Sequence, residues 1–527
     1  MQSDLKALEF DGIRRLLEKL AATPFGAEAC RNLEPAPNPD GARRMQEAVT
    51  TVRMALEANT PPPLPELPDV RPSLRQARTP GAGLTVSALA NLRIFLRACA
   101  ELADYLREHP ALHPAGVGSV EPPAALMETL DGILSATDKL REDATTTLAE
   151  LYGELGELRR EAEGIIGKRI AAPDLQENGK PLASAAWQGA RAALTLRAGH
   201  ADGIKGVRRG SGMGGRDVII EPVEAVAVNN RLEAMDGRIQ AEEQRLLREV
   251  TDGVRAEDEA LERLVTAVTW IDLASAGAQL AVHLDARAPE LAAEPRIDLR
   301  GAYHPLLLLQ YAEGNAPAPV PLDLSLDGDQ RLLVITGPNT GGKTVVLKTL
   351  GLLTTMAHCG LHIPATGACT VGNFSRLLVD VGDPQDLYHH LSTFAGHVEK
   401  LKRILGEADD RTLVLMDELG TGTDPEEGAA LAMAVLDELL ARRVLGIVNT
   451  HLSPLKDYAE ATAHVHNASM RFDHEALAPT YQLVPGEPGQ SLGLLIAERN
   501  GLEGSLVARA RDHLERFARR PGEDQRS

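Results

Sequence analysis

Aromatic residues make up only 3% of this 527-residue chain, with 2 tryptophans, 7 tyrosines and 7 phenylalanines. That supply argues against the stacking platforms that grip single-stranded nucleic acid, and the one aromatic ring in the best basic stretch is Trp187. Cysteine is scarce too. Cys30, Cys99, Cys359 and Cys369 lie far apart or outside any ligand spacing, as in a reducing cytosol. His358, Cys359, His362 and Cys369 crowd one region, but the apolar run Leu352-Leu353-Thr354-Thr355-Met356-Ala357 beside them reads as a packed helix end, not a metal cluster. The N-terminus lacks the basic-then-apolar layout of a leader, and no apolar run looks long enough to span a bilayer. The expectation is a soluble, cytoplasmic protein with no membrane partner. Positive charge is in deficit, with 55 Lys and Arg against 75 Asp and Glu, a net −20. Such a field does not draw nucleic acid by itself, so any contact of that kind must come from a local basic patch.

What is plentiful is Leu, Ala, Glu and Arg, a composition suited to extensive helix. Leu5, Leu8, Ile13, Leu16, Leu17 and Leu20 recur at helical spacing, and Thr23-Pro24-Phe25-Gly26 closes that helix. A stiff Pro61-Pro62-Pro63-Leu64-Pro65 connector precedes an apolar helix over 84–108, and Pro110, Pro114 and Pro122-Pro123 break the pattern. A long helix is expected from near Ala124, with a heptad seam through Leu148, Leu151, Leu155, Leu158, Ala162 and Ile165. A second runs from about Ala225 to Ala267. Between them, about 170–222 is irregular and β-capable, like a clamp at the tip of a lever arm. It holds Arg191, Arg197, Lys205, Arg208, Arg209 and Arg216 around glycines 210–215, a composition suited to phosphate-backbone contact; the alternative is an ordinary solvated loop. From about 295, short apolar runs alternate with helices, the signature of a parallel-sheet α/β domain. The expected division is 1–123 helical core, 124–294 lever helices with the clamp insert, 295–512 α/β domain and 513–527 polar tail. The fold class is therefore mixed: an α-helical core and lever of long coiled-coil helices, then an α/β domain.

The chain is organised around Gly337-Pro338-Asn339-Thr340-Gly341-Gly342-Lys343-Thr344, between the apolar run Leu332-Leu333-Val334-Ile335 and a helical Val345-Val346-Leu347. Strand, glycine turn and helix in this order, spaced GxxxxGK[ST], form a phosphate-binding loop. Backbone N–H groups converge on phosphate oxygens, Lys343 reaches the β/γ-phosphates, and the Thr344 hydroxyl binds Mg²⁺. Leu413-Val414-Leu415-Met416 then leads into Asp417 and Glu418. A carboxylate pair at a strand end suits Mg²⁺ binding by Asp417 and polarisation of attacking water by Glu418. The strand Leu445-Gly446-Ile447-Val448-Asn449-Thr450 ends at His451, placed to sense a γ-phosphate.

The phosphate loop, Ser392-Thr393-Phe394, Asp417-Glu418-Leu419-Gly420-Thr421-Gly422-Thr423-Asp424 and Thr450-His451, in that order, resemble the P-loop ATPase domain of the MutS family, a branch of the ABC-type ATPases. Ala7-Leu8-Glu9-Phe10, Ile219-Ile220-Glu221-Pro222, Val228-Asn229-Asn230-Arg231-Leu232 and Asn467-Ala468-Ser469-Met470 are similar to its second bacterial lineage, MutS-two, and not to the mismatch-repair branch. Asn449 and Gln490 depart from the usual Thr and Arg, and 171–216 matches loosely. The resemblance implies ATP and Mg²⁺ as cofactors and a homodimer in which Ser392 completes the other subunit's site in trans. It implies two nucleic-acid roles: closure on branched DNA with suppression of homologous recombination, or gripping rRNA on collided ribosomes to split them. A scaffold that binds ATP without turnover is the third reading, and the presence of both Asp417 and Glu418 opposes it. The lineage's C-terminal Smr nuclease domain does not fit into Arg511–Ser527, so nuclease activity is not expected of this chain.

Overall fold

The computed structural model describes residues 2–113, 120–211, 216–337, 341–382, 393–473, 478–489, 494, 497–498 and 501–518. The chain divides into two compact units, one of 1–64, 105–115 and 268–527, the other of 65–104 and 116–267.

The first unit is built on a six-stranded sheet ordered Arg376–Asp380, Thr412–Met416, Leu445–Thr450, Leu332–Thr336, Val465–Asp473, Ala478–Pro485. The first five strands are parallel and the last is antiparallel. Leu332 to Thr336 and Thr412 to Met416 are buried at every position, as strands covered on both faces require. Helix Pro425–Ala441 sets Leu436 and Leu439 against Val414, Met416 and Val448 of the sheet. A buried leucine of this kind contributes about 2 kcal/mol through area removed from water alone. Because the strands are parallel, the segments after Thr336, Asp380, Met416 and Thr450 leave from one edge, where α/β sheets place ligands.

The N-terminal helices belong to the same unit and are anchored by one carboxylate. Asp272 accepts hydrogen bonds from Ala22 N, Thr23 N and Thr23 Oγ1 at 2.9, 2.8 and 2.6 Å. Thr23-Pro24-Phe25-Gly26, expected to close the first helix, opens the next: the Thr23 hydroxyl caps Pro24–Arg31 by accepting from Gly26 N at 3.0 Å. Gly26 is required there, since a Cβ would lie 2.0 Å from an Asp272 carboxylate oxygen.

The second unit departs from the expected single long helix at Ala124. Ala124–Ile133 ends, a bridge between Leu134 and Leu140 closes a turn, and a second helix runs Thr146–Ile170. Asp138 has φ 56 in that turn and Arg93 reaches across to its carboxylate, so an ion pair and a left-handed residue interrupt the helical pattern. Thr146–Ile170 packs antiparallel on Val226–Ala256, as the crossed pairs Tyr152–Glu243, Glu154–Arg238 and Glu161–Arg231 require. The buried seam follows Leu148, Leu151, Leu155, Leu158 and Ala162, but ends on Ile166 instead of Ile165. A straight 3.6-residue helix drifts off a strict heptad within a few turns. The helix expected to reach Ala267 stops at Ala256, and Asp258–His283 follows. That helix is long and apolar enough to cross a membrane by length and composition, and 67% of its apolar window is buried within the protein.

The insert folds as a four-stranded antiparallel sheet ordered Ala183–Gln188, Arg191–Arg197, Asp217–Pro222, Gly206–Ser211. Gln188 Nε2 donates to Arg209 O at 3.1 Å, so the two edge strands curl towards each other at one end.

Candidate nucleotide site and clamp

The strand Leu332–Thr336 delivers Gly337 at φ 131, and Gly342 at φ 89 turns the chain into helix Lys343–His358. Only glycine adopts both angles without strain, so the backbone N–H groups of the first turn point out of the sheet edge. Lys343 is 2% exposed and donates from Nζ to the Gly337 carbonyl. Burial pushes its ammonium down from the usual lysine value, while Asp417 and Glu418 pull it back up. That is a buried cation at the point where phosphate oxygens are expected.

One strand separates the phosphate-loop strand from Thr412–Met416, so the carboxylates after Met416 face the loop across about 10 Å of sheet edge. Thr344 Oγ1 donates to Asp417 Oδ2 at 2.6 Å. The pair offers a hydroxyl and a carboxylate oxygen converging on one point, a donor set that fits Mg²⁺. Glu418 follows at φ 56, a left-handed angle for a residue with a side chain, and such strain collects at working sites. Beyond it Gly420 and Gly428 touch backbone to backbone: a Cβ on Gly420 would lie 2.5 Å from Gly428 O. Asp424 caps the next helix, accepting from Glu426 N at 2.9 Å and Glu427 N at 3.4 Å. His451 is exposed at the end of Leu445–Thr450, on the same sheet edge. Pro338, Asn339, Thr340, Ser392 and Gln490 lie outside the described residues.

Two supports were not apparent from the sequence. Asn449 donates from Nδ2 to Asp417 Oδ1 at 3.1 Å and so holds the second carboxylate oxygen. Asp380, buried at the end of the neighbouring strand, accepts from Asp417 N on its carbonyl at 2.8 Å. Its carboxylate takes His397 Nδ1 at 3.2 Å and Lys400 Nζ at 2.6 Å from helix Thr393–Glu407. Burial pushes the Asp380 carboxyl up, and these two hydrogen bonds outweigh it, holding it below the usual range. The same bond raises His397. A histidine four residues after Thr393 was the only available signal.

Beside Gly342 opens an apolar cavity of about 230 Å³, walled by Pro319, Val345, Val346, Thr349, Tyr481 and His304. Burial pushes His304 down to about 4, so the ring is neutral at pH 7, and its Nδ1 has no partner among the described residues.

In the clamp, the basic residues do not form one patch. Glu221 is fully buried and accepts from Arg191 Nη1 at 2.7 Å, Arg209 Nε at 2.7 Å and Asn229 Nδ2 at 2.9 Å. Burial pushes the Glu221 carboxyl up, but the bonds from Asn229, Arg209 and Arg191 overcome this and hold it low. Arg208 pairs with Asp202 at 2.7 Å. Arg197 and Arg216 are exposed at one end of the sheet, where Ala198 N donates to Arg216 O. Lys205 is exposed at the other end, where its carbonyl accepts from Val223 N. Trp187 stands 42% exposed on the edge strand.

Comparison with known proteins bears on both halves. A profile of MutS domain V matches residues 333–518. The chain is 37% identical over 513 residues to "Endonuclease MutS2" of Thermus thermophilus, covering 97% of this chain and 66% of that protein. It is 32% identical over 521 residues to the protein of the same name from Halothermothrix orenii, covering 96% and 64%. Against that of Synechocystis the figures are 33% over 543 residues, 98% and 65%. The chain thus spans a little under two thirds of the length of these curated relatives. With the domain V match over the phosphate loop and the carboxylate strand, and the relatives matching from end to end of this sequence, the chain belongs to the MutS family, in its MutS2 lineage.

Proposed function

We propose that the chain is an Mg²⁺-dependent ATPase that works as a homodimeric clamp on branched DNA and restrains homologous recombination. The observation that carries the enzymatic part is the convergence of Lys343, Thr344, Asp417 and Glu418 at one sheet edge. The triphosphate lies over the N-terminus of helix Lys343–His358, where free N–H groups, the helix dipole and the Lys343 ammonium favour its charge. The cavity walled by Val345, Val346 and Tyr481 takes the flat apolar base. Thr344 and Asp417 would hold Mg²⁺, whose role when bound is to offset charge on the phosphates. Glu418 accepts a proton from water as its oxygen forms a bond to the γ-phosphorus and the bond to the β,γ-bridging oxygen breaks, leaving ADP and phosphate. Asn449 and the Asp380 carbonyl fix Asp417 from the side and from behind. His451, exposed on this edge, reports the γ-phosphate, and Ser392 of the second copy completes the site by the family's pattern.

For the clamp, Arg197, Arg216 and Lys205 are the residues we assign to phosphate contact. They are exposed, and among the described residues their side chains have no ion-pair partners. Arg209 is paired with Glu221, and Arg191 is shared between Glu221 and Glu233, so neither is free for phosphate. The relatives' name, endonuclease, supports a nucleic-acid substrate for those proteins. The test is a Glu418→Gln variant purified from its own cells with ATP, followed by identification of what it holds. Branched DNA supports the proposal. Ribosomal RNA with proteins of both subunits would replace it with ribosome splitting. Neither, with ATP bound, would assign recognition to residues outside this chain.

A further inference from the structure

Helix Lys343–His358 has two ends, and the second also borders a cavity. Its 16 residues carry it about 24 Å from the phosphate loop, to the edge where the parallel strands begin. There a cavity of about 320 Å³ is bounded by the helix's last turns, the proline-rich segment 35–39 and the start of strand Arg376–Asp380. Nothing in the proposed ATP cycle uses it.

Three observations say what the cavity takes. First, its wall carries a buried polar group with nothing to bond: Thr354 is 2% exposed, and its hydroxyl has no partner among the described residues. The hydroxyl oxygen is itself sealed from solvent, so the Thr354 side chain must rotate to present it to the cavity; a ligand atom meeting it there would recover the about 1–3 kcal/mol that a buried unpaired hydroxyl costs. Neighbouring Thr355 shows the usual solution, donating to Gly351 O at 2.8 Å. Second, two arginines, Arg376 and Arg411, stand on the rim, and none of the described residues lining the cavity is acidic. Arg376 is paired with Asp409 at 2.7 Å, whereas the Arg411 guanidinium has no side-chain partner among the described residues. Third, the wall offers ring-sized apolar surface. Phe374 and His358 lie with ring centroids 6.2 Å apart, and Leu377 is buried beside them. His358 adds no charge, because burial pushes its pKa down, and it is placed at 3.2 Å from Gly372 O.

We propose that this cavity is a second ligand site, for a small ring-bearing carboxylate or phosphate monoester. The ring lies against Phe374 and His358, the anion at Arg411, and a polar atom of the ligand at Thr354. A fork of guanidinium donors suits both anions, and the volume fits one ring with its substituent and nothing as large as a nucleoside triphosphate.

The test is ligand-observed NMR and calorimetry on the whole chain with benzoate, phenyl phosphate and benzyl alcohol. A saturating non-hydrolysable ATP analogue keeps the phosphate loop filled. Saturable binding of benzoate or phenyl phosphate is expected, weakened about tenfold by Arg411→Gln and about fivefold by Thr354→Val, with benzyl alcohol at least about tenfold weaker. Whichever anion binds tighter separates carboxylate from phosphate. No saturable binding with the loop filled would overturn the proposal, as would equal affinity for benzyl alcohol or equal binding by Arg411→Gln. The valine variant is isosteric, and a thermal melt matching the parent checks that its fold is intact.

Discussion

Replacing Glu221 by glutamine should loosen the clamp sheet from its centre. In the parent, one buried carboxylate takes hydrogen bonds from Arg191, Arg209 and Asn229, and each arginine bond is 2.7 Å long. Glutamine keeps one oxygen, turns an N–H₂ towards a guanidinium and removes the charge. Breaking a fully buried pair costs about 3–5 kcal/mol. Here the Arg191 and Arg209 side chains keep 17% and 35% exposure and Arg191 retains its pair with Glu233, so water and that second carboxylate take up part of the loss. A discounted cost of about 2–3 kcal/mol follows, equivalent to a roughly 30- to 150-fold rise in local opening. Hydrogen exchange should register this at the backbone amides of Arg191–Arg197 and Asp217–Pro222, the two central strands. The parent adds a pH signature. Glu221 is held below its ordinary 4.5, so its contribution is present above that value and is lost as pH falls through the lower, folded pKa. The variant should lack that acid step. A change in exchange below about threefold, or an acid step retained in the variant, would refute the reasoning.

Further outcomes follow from the same geometry. His304 and His362 titrate near 4 in the fold against 6.5 unfolded, so between those values the unfolded chain binds more protons and stability falls as pH drops. Each should cost about 2 kcal/mol between pH 7.5 and pH 5, and His304→Gln should remove its share in urea unfolding at the two pH values. Gly420→Ala forces a Cβ onto Gly428 O at φ 81 and should cost about 2 kcal/mol or more in melting, with Glu418 two residues away losing its placement and turnover falling. Asp417→Asn should raise the Mg²⁺ concentration for half-maximal ATP turnover by at least about tenfold, because one charged donor of the Thr344–Asp417 pair is gone. An unchanged Mg²⁺ requirement would remove Asp417 from the metal's ligands.

What could be read from the sequence was what is local in it. The phosphate loop and the Asp417-Glu418 strand end announce themselves because strand, turn and helix follow one another within a few residues, and the structure seats Thr344 on Asp417 accordingly. The interruption after Ile133 was hidden because its cause is a contact 45 residues away, Arg93 on Asp138. The Asp380–His397 contact escaped for the same reason, since neither residue is unusual where it stands. The basic cluster looked like one patch because proximity in sequence says nothing of strand direction. Pairing Arg197 with Asp217 and Gly206 with Pro222 puts Arg216 and Lys205 at opposite ends, while Glu221 takes Arg209 and shares Arg191 with Glu233.

The central claim is that the edge carrying Lys343, Thr344, Asp417 and Glu418 hydrolyses ATP, and Glu418→Gln tests it most directly. Steady-state turnover and equilibrium ATP binding should be measured on the same preparation with Mg²⁺. The account predicts ATP affinity within about threefold of the parent and kcat lower by about 100-fold or more, the loss expected when a positioned general base is removed. Turnover within about threefold of the parent, with ATP bound as before, would contradict it.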